Sequence, residues 1–166
     1  HFDKKDNVHF GVANNLTDLY VQAVFHDQES LIKIMRGGLI LYFDPDGKKG
    51  KDFALKIERA EKELIDQSAI PQRSMNSREG RNENMPKIID LMCTKVTWDS
   101  DGDEFVFYRG MQKQAIEVNL YPNENNELVL MTKMPLKELP IPKDKMISMG
   151  IATGSVSSAG SRPAGG

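Results

Sequence analysis

Val8-His9-Phe10-Gly11-Val12-Ala13-Asn14 and Leu19-Tyr20-Val21-Gln22-Ala23-Val24-Phe25-His26 decide how this chain is read. In the first run Val8, Phe10 and Val12 share one face. In the second, Leu19, Val21, Ala23 and Phe25 do. Successive strand side chains point to opposite sides, so apolar residues at every second position mark a strand with one buried face. Between the runs, Asn14-Asn15-Leu16-Thr17-Asp18 is a polar turn of hairpin length. The pair reads as an antiparallel hairpin.

The same pattern extends outward from it. Asp27 offers a helix cap, Leu31, Ile34 and Met35 follow at helical spacing, and Gly37-Gly38 stops the pattern. A helix of about two to three turns fits there. Leu39 to Phe43 is a continuous apolar run, as in a strand buried on both sides, and Asp44-Pro45-Asp46-Gly47 has type I turn chemistry. Phe53, Leu55 and Ile57 alternate. Residues 58–66 are rich in helix formers and suggest a short exposed helix. Residues 67–86 are polar, hold Pro71, Gly80 and Pro86, and read as a long surface loop. Residues 87–93 fit either a helical turn or a strand.

From Thr94 the pattern is β again. Val96 and Trp98 precede the turn Asp99-Ser100-Asp101-Gly102-Asp103, and Phe105 and Phe107 follow it, forming a second hairpin. Ala115 to Tyr121, Leu128 to Met134 and Met146 to Ile151 are further strands. The total is about nine strands with two or three short helices, which fits a mainly β, two-sheet antiparallel sandwich.

At 166 residues the chain can bury a full core without disulfides or metal. Its net charge is −2 with the signs intermixed, so no basic stripe points to nucleic acid. No run approaches the ~18–20 apolar residues of a transmembrane segment. Cys93 is the only cysteine, which excludes an intrachain disulfide, and its apolar neighbours Leu91 and Met92 suit a buried small side chain. Opening on His1-Phe2-Asp3 without Met, the chain looks processed or trimmed.

Several phrases resemble family 9 carbohydrate-binding modules and their DOMON-like relatives, and resemble more closely a set of uncharacterised secreted Bacteroidetes-type proteins. They are Asp18-Leu19-Tyr20-Val21-Gln22-Ala23-Val24, Gly38 to Lys49, Met134-Pro135-Leu136-Lys137-Glu138-Leu139, and Ile147 to Gly154. These phrases occur in the family's order over most of the chain. The resemblance implies a jelly-roll-like sandwich over residues 1–154, interrupted by a polar insertion at about 58–90 and followed by a Gly/Ser/Ala-rich tail over 155–166. It also implies a periplasmic or cell-surface location and a non-catalytic carbohydrate-binding role. Members of the family grip sugar between aromatic rings. This chain has one Trp and four Tyr, so a paired-tryptophan clamp is not available to it.

Among the rings, Trp98 borders the acidic turn and is the first choice to face a ligand, with Tyr108 and Arg109 beside it. Tyr20, Tyr42 and Tyr121 are further stacking candidates, with ordinary sheet packing as the plainer reading. Asp99, Asp101 and Asp103 have the oxygen-rich spacing of a calcium site, or of a solvated turn. Asp44 and Asp46 raise the same question beside three lysines. His9 and His26 lie on adjacent expected strands, where they can face each other and hold a metal or a proton, or simply occupy a half-exposed sheet. No nucleophile elbow, phosphate loop or His/Glu zinc motif is present, so the sequence points away from an enzyme. The alternative to a sugar-binding module is a cell-envelope interaction domain without a small ligand, working through residues 67–86 and exposed strand edges.

Overall fold

Two antiparallel sheets face each other across one apolar core. The computed structural model describes residues 2–3, 7–45, 47, 53–59, 85–91, 93–100, 102–110, 115–139 and 147–154. The strands are β1 (Phe2–Asp3), β2 (Val8–Asn14), β3 (Asp18–Phe25), β4 (Leu39–Asp44), β5 (Phe53–Glu58), β6 (Lys95–Ser100), β7 (Asp103–Tyr108), β8 (Glu117–Pro122), β9 (Leu128–Pro135) and β10 (Ser148–Thr153). The first sheet has the order β1-β2-β3-β9-β8, and the second β10-β4-β5-β6-β7. The chain is therefore the mainly β sandwich that the alternating runs imply.

The hairpin that decided the reading is β2–β3, with Val8 opposite Phe25 and Asn14 opposite Leu19. Its turn is held by Asn15, whose side-chain oxygen accepts from the Thr17 and Asp18 amides at 2.8 and 2.7 Å. This is the local bonding that makes Asn a turn residue. Inward-facing Leu19, Val21, Ala23 and Phe25 are buried, as are Val118 and Leu120 of β8 and Leu128, Leu130 and Met134 of β9. Leu39, Leu41, Phe43, Leu55, Ile57, Val96 and Phe107 face them from the second sheet, and all belong to the same buried cluster. Thr132 also points inward, between Val21 and Val118, and its hydroxyl has no hydrogen-bond partner.

Helix α1 (Gln28–Gly37) carries the chain from β3 in one sheet to β4 in the other. Asp27 caps it, accepting from the Ser30 amide at 2.7 Å and the Ser30 hydroxyl at 2.8 Å. Leu31 and Ile34 form its buried stripe. It ends at Gly38, whose φ of 80° lies in the left-handed region that glycine occupies without steric cost. Gly37 meets the backbone of Gly154, just past β10: a Cβ added at Gly37 would sit 2.1 Å from the Gly154 carbonyl oxygen.

A second helix, α2, covers 85–91. Met85, Ile88 and Ile89 are its buried residues, at helical spacing. It resolves the ambiguous 87–93 stretch and begins two residues earlier. Residue 58 belongs to β5, and the rest of the 58–66 stretch expected to be helical lies outside the described residues except Arg59. Most of the 67–86 loop and the 155–166 tail also lie outside them.

Candidate functional site

Among the described residues, the outer face of the first sheet brings exposed aromatic and polar side chains together. Its composition follows from strand register. Ala13, Tyr20, Lys133 and Glu117 form one cross-strand row, Gly11, Gln22, Met131 and Asn119 the next, and His9, Val24, Val129 and Tyr121 a third. Tyr20, Met131 and Tyr121 are 38%, 43% and 41% exposed. That accessibility leaves their side chains available to a ligand, unlike the rings of the core. Val129 is buried among them. Gly11 and Ala13 keep the β2 side low, since neither carries a bulky side chain.

Local bonds fix the rings. The Tyr20 hydroxyl receives the Asn15 side-chain amide at 3.3 Å, and the Tyr121 hydroxyl donates to the Met131 sulfur at 3.3 Å. Lys133 reaches Glu117 at 3.3 Å, and this hydrogen bond is the leading cause that holds the Lys133 ammonium above its ordinary pKa. Tyr20 and Tyr121 are four residues apart in register and two strands apart, a separation of roughly 16 Å. Apolar rings with amide and charged side chains between them can stack on a flat apolar face and hydrogen-bond its polar rim.

One end of this face carries a chain of hydrogen bonds. His26 Nδ1 lies 2.6 Å from Glu127 Oε1, and His26 Nε2 lies 2.5 Å from His9 Nδ1. The two rings meet edge to face, with centroids 4.6 Å apart. The other oxygen of Glu127 accepts from the Asn123 side chain at 2.8 Å. Asn123, followed by His26, holds the Glu127 carboxyl below its ordinary pKa. Register explains why the histidines meet. His9 sits opposite Val24, so His26, two residues further along, is its diagonal neighbour on the same face. The expectation that they approach each other is thus realised. Glu127 was not visible in the sequence as their partner, because β3–β9 pairing brings it from 101 positions away.

The residues singled out around the acidic turn are placed differently. Trp98 is buried, stacked on Phe53 at a centroid distance of 6.4 Å and edge-on to Phe43 at 5.8 Å. It belongs to the core and is not the exposed ring that its acidic neighbours suggested. The reason is parity, since Trp98 shares a face with inward Val96. Arg109 is likewise committed inside the protein. Its guanidinium donates to the Cys93 carbonyl at 2.9 Å, the Leu120 carbonyl at 2.9 Å, the Ile89 carbonyl at 3.3 Å and the Asp90 carboxylate at 2.8 Å. It clips α2 to both sheets and is not displayed to a ligand. Tyr108 and Tyr42 lie half-buried on the outer face of the second sheet, opposite from Tyr20 and Tyr121.

Of the three carboxylates expected to bind calcium, Asp101 lies outside the described residues. The other two are not brought together. Asp99 pairs with Glu104 and points outward, whereas Asp103 pairs with Ser100 on the inward parity. Asp99 is also bound by Lys56 at 2.9 Å, and Lys56 touches Glu104 at 3.4 Å. The Asp99 bond leads the causes that raise the Lys56 pKa. Asp44 is buried, and Asp46 is outside the described residues. Among the described residues no group of three or more His, Cys, Asp or Glu gathers as a metal site, and no helix is long and apolar enough to cross a membrane.

Comparison of the chain with protein-family models, with curated proteins and with solved structures finds no match.

Proposed function

We propose that this chain is a non-catalytic, extracytoplasmic binding module that takes a carbohydrate on the outer face of the β1-β2-β3-β9-β8 sheet. The observation that carries the reading is the presence of exposed Tyr20 and Tyr121 on that one face, with Gln22, Asn119 and Lys133 between them. Sugar rings offer apolar faces for stacking and hydroxyl rims for amide and ammonium groups, and this row order supplies both. The separation of the tyrosines suits an extended chain of several sugar units better than a monosaccharide. The family resemblance supplies the expectation of an extracytoplasmic location.

A glycan-array screen of the whole chain, repeated with Tyr20→Ala and Tyr121→Ala, tests this reading. Each substitution is expected to weaken binding by roughly 2–12-fold, from an aromatic contact of ~0.5–1.5 kcal/mol beyond area burial. Binding that survives both changes removes this face from the site.

One observation favours a second reading, a protein-interaction domain of the cell envelope. Edge strand β7 exposes Phe105 at 55% and Val106 at 44%, and unpaired strand edges recruit further strands. Phe105→Lys distinguishes the two readings. It would abolish a strand-edge partnership and leave glycan binding intact.

A further inference from the structure

We propose that β7 is the seam of a two-fold dimer, in which this edge of the second sheet pairs antiparallel with the same edge of a second copy of the chain. Among the described residues no strand pairs with the outer edge of β7. The ladder on its other side shows which groups that edge presents. The Arg109 amide donates to the Thr94 carbonyl at 2.8 Å, so Arg109 turns its backbone towards β6. Residues of an antiparallel strand alternate between bonding one neighbour and facing the other side. Phe107, Phe105 and Asp103 therefore also bond β6, and Glu104, Val106 and Tyr108 direct their N–H and C=O groups to the open edge. Edge strands that stay single are commonly blunted by Lys, Pro or a bulge. β7 reads Asp-Glu-Phe-Val-Phe-Tyr, pairs with β6 in unbroken register, and leaves Phe105 55% and Val106 44% exposed. Its two acids sit at one end only.

The partner follows from the strand's own sequence. An edge-facing residue can pair only with another edge-facing residue, and a two-fold axis through Val106 satisfies this with the full length of β7. Val106 then faces Val106 of the second copy, Glu104 faces Tyr108, and Phe105 faces Phe107. Phe105 has the inward parity of Trp98, its register partner, yet half of it is uncovered. The axis sets it against the buried Phe107 of the second copy, so the ring pair that lies 5.8 Å apart within each copy is doubled across the seam. Charge selects the same arrangement. Asp103 and Glu104 occupy one end of β7, while Lys95 lies beside Tyr108 at the other. Antiparallel self-pairing brings each acidic end to the basic end of the second copy, whereas parallel pairing sets acids against acids. Such an axis stands perpendicular to the sheet. Both first sheets then lie on one side of the joined second sheets, and their outer faces point the same way. The seam uses β7 alone, so it holds whether or not the first sheet takes carbohydrate.

Sedimentation equilibrium of the full chain over a wide concentration range tests the seam. The mass is expected to rise with concentration from 18.7 kDa to twice that value. Val106→Pro removes an amide that points to the open edge, where proline is tolerated. This variant should stay monomeric at every concentration and melt as the dilute native chain does. Register is read by cross-linking in a Cys93→Ala background, which removes the only native thiol. Val106→Cys places two thiols opposite each other on strands whose Cα atoms are about 5.5 Å apart, a separation that a disulfide spans. Glu104→Cys places them roughly 14 Å apart, four residues out of register. Oxidation should link the first variant into a covalent dimer and leave the second unlinked. A native chain that stays monomeric throughout, a dimer that Val106→Pro leaves intact, or cross-linking of Glu104→Cys in place of Val106→Cys would overturn the proposal.

Discussion

Arg109→Ala removes a fork of four contacts. Leu120 lies on β8, the last strand of its sheet among the described residues, and its carbonyl accepts from the Arg109 guanidinium at 2.9 Å. The Cys93 carbonyl follows α2 in an irregular stretch and is held at 2.9 Å by the same guanidinium. Hydrogen bonds from a charged donor are worth ~1.5–3 kcal/mol each. The Ile89 carbonyl counts for less, because it keeps the Cys93 amide at 2.9 Å. The Asp90 carboxylate is 72% exposed, so its ion pair contributes under about 1 kcal/mol. Water entering the vacated space recovers part of the loss. The expected destabilisation is about 3 kcal/mol. Arg109→Lys should restore about a third of it, since one ammonium cannot span the fork. Urea unfolding is the assay, and the midpoint should fall by ~1–2 M with the slope unchanged. A fall below ~0.3 M, or lost ligand binding at unchanged stability, would refute the reasoning and return Arg109 to the ligand.

Three other outcomes follow from the core. Trp98→Ala should cost ~3–5 kcal/mol in thermal or urea unfolding, as expected for a buried aromatic, while Trp98→Phe should retain glycan binding. A glycan interaction lost in Trp98→Phe without loss of stability would contradict the core assignment. Thr132→Val should stabilise the fold by ~1 kcal/mol, because the buried hydroxyl it removes is unpaired. A lower melting temperature would show that the hydroxyl is satisfied. Burial pushes the Cys93 thiol up to about 11 from an ordinary 9.0, with the positive charge of Arg109 acting weakly the other way. Above pH 9 the unfolded chain therefore releases a proton that the folded chain keeps. About 2–3 kcal/mol of stability should be lost between pH 9 and 11 in the native chain relative to Cys93→Ala, measured by urea unfolding at each pH.

Most strands were legible because one buried face imposes a period of two, and β2, β3 and β8 carry that period with few breaks. Helix α2 was obscured by Pro86, which reads as a loop breaker but is tolerated in the first turn of a helix. Its apolar residues Met85, Ile88 and Ile89 held the helical signal. Trp98 was misplaced because its acidic neighbours suggested exposure, although counting from Val96 puts it inside. Arg109 looked like a companion of Tyr108, but neighbouring positions of an extended chain point to opposite sides. The approach of His9 to His26 was readable from the hairpin. Neither Glu127 beside them nor the shared face of Tyr20 and Tyr121 was, since both depend on β9 pairing between β3 and β8. No local pattern encodes that pairing.

Backbone amide chemical shifts during titration with an extended oligosaccharide selected on the array test the ligand face most directly. The account predicts perturbations gathered on Gly11, Tyr20, Gln22, Asn119, Tyr121 and Met131, with little change at Trp98 or Arg109. Perturbations gathered instead on Tyr42, Lys56 and Tyr108, across the outer face of the second sheet, would contradict it.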